Sequence, residues 1–425
     1  MKIRIDQSIA TFTMSTVLLL SACKGELAVV DDLRPRDVEA ADGQGSVLAP
    51  DAGLAPGARC SCASSASLQA LACYDGRPFT QSQTTTDGSV VAFNVATPEG
   101  APWPVFYWAS NAPTSNIASG SLAGMSASGE ALVDSQTEAG VWRIGPEGRT
   151  GQARMRLLAG RGLLSEDGNI AVGAIADGDA TGLARANMNT GEIEVLGHLR
   201  SDRAVLMVNP DASTIVGSLE GILPTGEVSS ADEDWAAFRW NEQGLSLGLP
   251  GVPANKRPHP QSLSADGSVI SGVSSNNATF RWSEADGYVE VASQAGSANK
   301  LSADGSVLLA SSQDPQGVES VFRWTNATGA VELAPGTNTR GGDMSADGRV
   351  IATTSWRGQE PKDPLVWDTE HGTRSLDEIL HARGIDTSGW NFSEAQQLSA
   401  DGKVLIGQAT CGGVFALYRA VLSED

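Results

Sequence analysis

Eight times along the chain a short stretch recurs that in its full form holds a small polar residue, a variable residue, an acid and a glycine. Four copies are nearly identical, L-S-A-D-G at 263–267 and its counterparts at 301–305, 344–348 and 398–402. Four are degraded: T-T-T-D-G (84–88), M-S-A-S-G (125–129), L-S-E-D-G (164–168) and V-N-P-D-A (208–212). A carboxylate at regular spacing suggests proton transfer or calcium binding. An Asp followed by Gly between two strands has a simpler use, because its carboxylate caps turn amides and the Gly supplies positive φ. The repeat is read as a turn. The other reactive residues do not assemble into a motif. His198, His259, His371 and His381 are the four histidines, and none sits in H-E-x-x-H. No G-x-S-x-G elbow, P-loop or dinucleotide fingerprint is present. No catalytic, cofactor or metal residue is therefore assigned. The pairs Asp177/Asp179 and Asp232/Asp234 could attract calcium, but lack a full ligand spacing.

Two further sets of residues bear on chemistry. Residues 219–235, 355–363 and 176–179 are stretches where the repeats disagree, and loops on a fixed frame carry recognition. Asp232, Asp234, Trp356 and Arg357 are the candidate ligand residues there, with an aromatic platform and charged hydrogen-bonding groups. Apart from Cys23 there are four cysteines, Cys60, Cys62, Cys73 and Cys411. An even number in an exported chain indicates two disulfides. One should join Cys411 to the N-terminal segment, with the partner open; a metal site from C-S-C and Cys73 competes with this reading.

The elements that must position these residues follow from the repeat. The turn glycines recur every 38 to 55 residues, the range of solenoids and propellers. Each turn leads into a β-branched run such as S-V-I-S-G (268–272) or S-V-L-L-A (306–310). An aromatic run follows, as in V-F-Y-W (105–108), A-F-R-W (237–240), T-F-R-W (279–282) and V-F-R-W (321–324), and then a third apolar segment. With the lead-in, each unit makes four short antiparallel strands. The fold class is all-β: a β-propeller of about eight four-stranded blades. Repeats lie near 80–120, 121–160, 161–203, 204–258, 259–297, 298–337, 338–392 and 393–425. The last unit stops before its outer strand, so the N-terminal segment should complete it and remove an open edge. Arg143, Arg185, Arg239, Arg281 and Arg323 recur in the aromatic strand. Between packed sheets each needs a partner, so interblade hydrogen bonds are expected, with the repeat carboxylates as acceptors. Ser375-Leu376-Asp377-Glu378 is a capping box, and Gly384 ends the one short helix, whose Leu376, Ile379 and Leu380 should dock inward.

The first 22 residues read as a processing signal. Lys2 and Arg4 precede the apolar run 9–20, and L-S-A-C places Cys23 directly after it. This resembles the bacterial lipoprotein signal, which implies lipidation of Cys23. Residues 23–59 are rich in charge, Ala, Gly and Pro without periodicity, a flexible tether, and 60–425 form the propeller. No other run is long enough to span a bilayer, so the lipid would be the sole membrane attachment. Forty-eight glycines and a net charge of −21 suit a turn-rich, soluble exported chain and argue against nucleic acid.

S-A-D-G-S-V-I with A-F-R-W downstream resembles the HAF-type extracellular repeat of exported bacterial proteins. S-L-D-E-I-L-H-A-R-G-I-D-T-S-G-W, followed by S-E-A-Q-Q-L-S-A-D-G, is similar to that family's C-terminal pattern. The resemblance covers about residues 80–420 and implies an extracytoplasmic repeat domain with no established activity. The functional expectation is a lipid-anchored, monomeric, non-catalytic module at the bacterial envelope, on the outer membrane, that binds a protein or a glycan. Two alternatives are a glycan-active enzyme with carboxylates in the central funnel, and a structural accessory of envelope assembly.

Overall fold

A computed structural model describes residues 60–74, 79–95, 97, 103–110, 112–135, 140–155, 159–161, 163–177, 180–199, 204–220, 235–253, 255–292, 300–314, 316–358 and 360–423. Thirty-one strands and one helix are found among them. The pattern expected for each unit is the one observed: an inner strand, the Asp-Gly turn, a buried β-branched strand, an aromatic strand and an outer strand. In the fifth unit these are His259–Leu263, Val269–Val273, Thr279–Ser283 and Gly287–Ala292, antiparallel and in that order. The sixth and seventh units repeat it. The second strand is buried almost throughout because both faces of a blade pack on neighbours. Val307, Leu309, Val321, Met344 and Ile351, for example, form one core shared by the sixth and seventh blades.

The early blades are less regular. Ala112–Met125 is a single long strand that pairs with Pro104–Ala109 through its first half and with Ala131–Ser135 from Gly120 onward. It is the outer strand of the first blade and the inner strand of the second, fusing them into one seven-stranded sheet. In the third blade the inner position is reduced to a bridge between Leu164 and Ala171. Ala159–Arg161 pairs instead, in parallel, with the inner strand Ala204–Val208 of the fourth blade.

The ring closes as the truncated last unit requires. Leu68–Tyr74 is hydrogen-bonded outside Val414–Val421, followed inward by Val404–Cys411 and Trp390–Leu398. The first strand among the described residues is thus the outer strand of the last blade. Two disulfides bind the same seam, Cys60–Cys73 and Cys62–Cys411. Between the seventh and eighth blades lies the helix Leu376–Ala382, with the capping box of Ser375 and Glu378 formed and Leu376, Ile379 and Leu380 buried. Gly384, at φ +71°, donates its amide to His381 and ends it.

A ring of contacts joins one blade to the next. At most blade junctions the third residue of the repeat, just before the Asp position, donates its amide to the carbonyl of the same residue in the following blade. Ala265 reaches Ala303, Ala303 reaches Ala346, Ala346 reaches Ala400, and Ala400 reaches Thr86 of the first blade, all at 2.7–2.8 Å. Ala127 to Glu166 and Glu166 to Pro210 continue it. Pro210 has no N–H to pass on; there the Asn209 side-chain amide reaches Ala265 O instead, at 3.3 Å.

Candidate functional site

The repeat Asp is fully occupied within its own turn. Asp266 Oδ1 accepts from the Ser264 hydroxyl at 2.7 Å and the Ser268 amide at 3.0 Å, while Ser264 Oγ accepts from Val269 N at 2.9 Å. Equivalent bonds recur at Asp87, Asp167, Asp304, Asp347 and Asp401. The serine two residues before the Asp is as much part of the turn as the acid, a role that the search for carboxylates passed over. These bonds have a titration consequence. The Ser264 hydroxyl, then the Ser268 amide, holds Asp266 below its ordinary value of 3.8, and Ser302 and Ser306 do the same for Asp304. Asp167 and Asp211 are lowered by matching partners, and at Asp87 burial pushes upward but Thr85 and Ser89 outweigh it. A carboxylate lowered on folding contributes stability that is complete above pH 3.8 and lost as the pH falls through its folded value. Acid unfolding monitored by circular dichroism should therefore steepen below about pH 3.8. Asp304→Asn should make that slope shallower, and an unchanged slope would refute the assignment.

The recurrent arginines correct the expected acceptors. Arg281 Nε and Arg323 Nε donate to the carbonyls of Gly305 and Gly348 at 3.2 and 3.1 Å, and Arg143 Nη1 to Gly168 O at 2.7 Å. Each acceptor is the turn glycine of the next blade, not the carboxylate beside it, whose oxygens the turn already uses. Arg239 crosses to Glu284, whereas Arg185 pairs within its own blade with Glu194. The side chains of Arg143, Arg239 and Arg281 are only 8–15% exposed, as an interblade role requires. Arg419, in the sequence Y-R-A, completes the set by donating to Gly88 O at 2.9 Å. Without the F-R-W signature it could not be recognised from sequence.

Among the described side chains one histidine touches a hydroxyl: His381 Nε2 lies 3.1 Å from Thr387 Oγ1, which also donates to Asp377 Oδ1 at 3.0 Å, in an exposed cluster around the short helix. His371 and His381 are exposed and pair with Asp368 and Asp377 near them in sequence, and burial pushes His259 down. The four cysteine sulfurs are consumed by the two disulfides, although those of Cys60, Cys73 and Cys411 lie within 4.8 Å of one another. Two carboxylates stand on neighbouring inner strands of the funnel. Asp343 accepts from Lys300 Nζ and the Met344 and Leu398 amides, so it ties three blades together. Glu394 is raised by burial, with a partly opposing hydrogen bond from Gln396.

Of the candidate ligand residues, Asp232, Asp234 and Asp179 fall outside the described residues, and Asp177 is described only as backbone. Trp356 and Arg357 end the second strand of the seventh blade, Val350–Arg357. That end lies opposite the Asp-Gly turns, on the face formed by second-to-third strand loops and interblade connectors. Both residues line a cleft of about 830 Å³ between the sixth and seventh blades. Its other wall is the connector 333–338, with Lys362, Asp363, Arg374 and Glu378 adding charge. Arg340, paired with Glu319 at 3.3 Å, lies 4.7 Å from the Trp356 ring centroid and holds the indole by a cation–π contact. The helix supplies Glu378, whose carboxylate is lowered by the Ser375 amide it caps.

This architecture is that of a β-propeller closed by strands from both ends of the chain. No protein-family model matches the sequence, and no curated protein matches it. Among solved structures, the Dos1 propeller aligns with a TM-score of 0.52 at 12% identity, over 84% of this chain and 95% of that one. An oligogalacturonate lyase in complex with manganese aligns at 0.49 and 16% identity, over 84% and 93%. The β-propeller domain of the Trilobed protease from Pyrococcus furiosus aligns at 0.47 and 13% identity, over 71% and 97%. At such identities the likeness is one of fold.

Proposed function

We propose that the protein is an exported, lipid-anchored β-propeller that binds a protein or glycan of the bacterial envelope without transforming it. The observation that supports this most is the division of labour between its faces. One face is a ring of turns whose carboxylates are occupied by local hydrogen bonds. The opposite face carries the loops in which the repeats differ and the cleft containing Trp356 and Arg357. A rigid frame with variable loops on one side is how many binding modules are built. The signal-like N-terminus with Cys23, and the HAF-type repeat, support the exported setting. Among the described residues no helix is long and apolar enough to cross a membrane; the attachment in this reading is lipidation of Cys23.

The test is a glycan array and an envelope-extract pull-down with the full chain, combined with fractionation of a Cys23→Ser variant. Saturable retention of one partner with its covalent structure intact is expected, and loss of the variant from membranes. Turnover of a retained glycan, abolished by Glu394→Gln, would replace this reading with the enzymatic one. The buried Glu394 carboxyl, raised as general acids are, is the feature that favours that second reading.

A further inference from the structure

Hydrogen-bonding capacity in the cleft between the sixth and seventh blades is unbalanced. Trp356 Nε1 is buried without an acceptor. Arg374 holds Asp368 through Nη2, yet its Nε is also buried without an acceptor. The exposed Arg357 guanidinium makes no hydrogen bond or ion pair among the described residues. Three residues around one cleft thus hold N–H groups with nothing to donate to. Buried donors of this kind call for an explanation, and an acceptor brought from outside is a direct one. The local charge points the same way. Lys362 is paired with Asp363 at 3.2 Å and Arg374 with Asp368, which leaves Arg357 as the lining cation with no partner among the described residues, on a chain whose net charge is −21.

We propose that this cleft binds a short acidic saccharide, with its carboxylate taken by Arg357 and a sugar ring placed against Trp356. This deepens the binding reading above and rests on it. A guanidinium matches a carboxylate by two parallel hydrogen bonds. An indole offers a flat apolar surface to the C–H face of a sugar. Leu333, Pro335 and Leu365 extend that apolar surface, and Thr337, Asn338, Ser355 and Thr373 supply hydrogen-bonding groups of the kind sugar hydroxyls use. A volume of about 830 Å³ is within the range of sites that take compact ligands. An acidic peptide would use the cations but has no comparable demand for a clamped aromatic ring, so the saccharide is favoured.

Calorimetry on the full chain tests this with three probes: a glucuronan trisaccharide, its carboxyl-reduced counterpart and a glutamate hexapeptide. The acidic trisaccharide should bind, with affinity falling as salt is raised. The reduced sugar should bind at least ~10-fold more weakly, one charge-assisted contact being worth about that factor. Arg357→Ala should lose ~10-fold and flatten the salt dependence, with part regained in Arg357→Lys. Trp356→Phe, which keeps a ring and removes the N–H, should lose several-fold. Arg349→Ala, an exposed charge on the turn face, should change nothing. Equal affinity for the acidic and reduced sugars would overturn the proposal. So would binding of the glutamate peptide while both sugars stay silent, which would assign the cleft to acidic peptides. If the array and pull-down find a partner that Arg357→Ala and Trp356→Phe do not affect, this site is wrong and the binding reading stands. If they find no partner, the binding reading itself falls.

Discussion

Replacing Cys62 and Cys411 together by Ser should destabilise the protein by about 2–5 kcal/mol, seen as a lower urea midpoint. Replacing Cys60 and Cys73 together should cost markedly less. The two bridges share a seam but close very different loops, 349 residues against 13. In the chain-entropy account the cost of closing a loop grows with the logarithm of its length, which separates the two by about 3 kcal/mol. The long bridge also holds the place where a ring must not open. Leu68–Tyr74 is tied to Val414–Val421 by backbone pairing, and the Cys62–Cys411 bond fixes the chain just ahead of that strand to Val404–Cys411, the next strand inward. Tyr418 and Trp390 pack across the same seam, and the Trp390 indole donates to Ala63 O at 2.6 Å. Paired-serine substitutions avoid leaving a reactive thiol. Equal losses for the two pairs, or a larger loss for Cys60 and Cys73, would contradict the assignment of the long bridge as the clasp.

Gly305→Ala should be about as damaging, by roughly 2–5 kcal/mol, although it adds one methyl group to a turn. Two penalties coincide there. Gly305 sits at φ +68°, and a Cβ would stand 2.6–2.7 Å from Cγ2 and Cβ of Val269 in the preceding blade. Gly348 meets Val307 and Gly88 meets Val404 in the same manner, so the repeat glycine serves the turn and the fit between blades together. Blade four provides the control. Ala212 holds the equivalent position at φ +57° and is fully buried, which means that junction already accommodates a methyl. Ala212→Gly should relieve left-handed strain while leaving a small void, and stay within about 1 kcal/mol of wild type. A Gly305→Ala protein as stable as wild type in urea would show that the blades are not packed as described.

Much of this architecture could be read from residues alone because it depends on local rules used repeatedly. The D-G turn, the β-branched strand behind it and the capping box at Ser375 each announce themselves within a few positions, and the missing outer strand implied the closure. What escaped was the consequence of side-by-side packing. Arg281 looked like a partner for carboxylates because its neighbour across the blade junction was unknown. The acceptor across the junction is the Gly305 carbonyl, for which no side-chain pattern exists, while the carboxylate that Arg281 does hold, Asp286, belongs to its own blade. Arg419 carries the same role without the aromatic signature. The shared strand Ala112–Met125 was hidden because its halves belong to different units. The cleft was half visible: Trp356 and Arg357 stood out in a divergent loop, whereas the connector 333–338 and Arg374 join them only when two blades meet.

The seam has a mechanical meaning as well. Were the chain pulled from its N-terminal side, as the lipid anchoring proposed above would have it, the load would enter the described residues at Cys60. In a propeller closed by hydrogen bonds alone, that pull would unzip the N-terminal strand one pair at a time. Here the first described residue is already bonded covalently to Cys73, at the far end of the strand, and Cys62 to Cys411 beside it. Tension from that side therefore enters two strands of the last blade at once, at Cys73 of Leu68–Tyr74 and at Cys411 of Val404–Cys411, instead of peeling Leu68–Tyr74 away from its first residue.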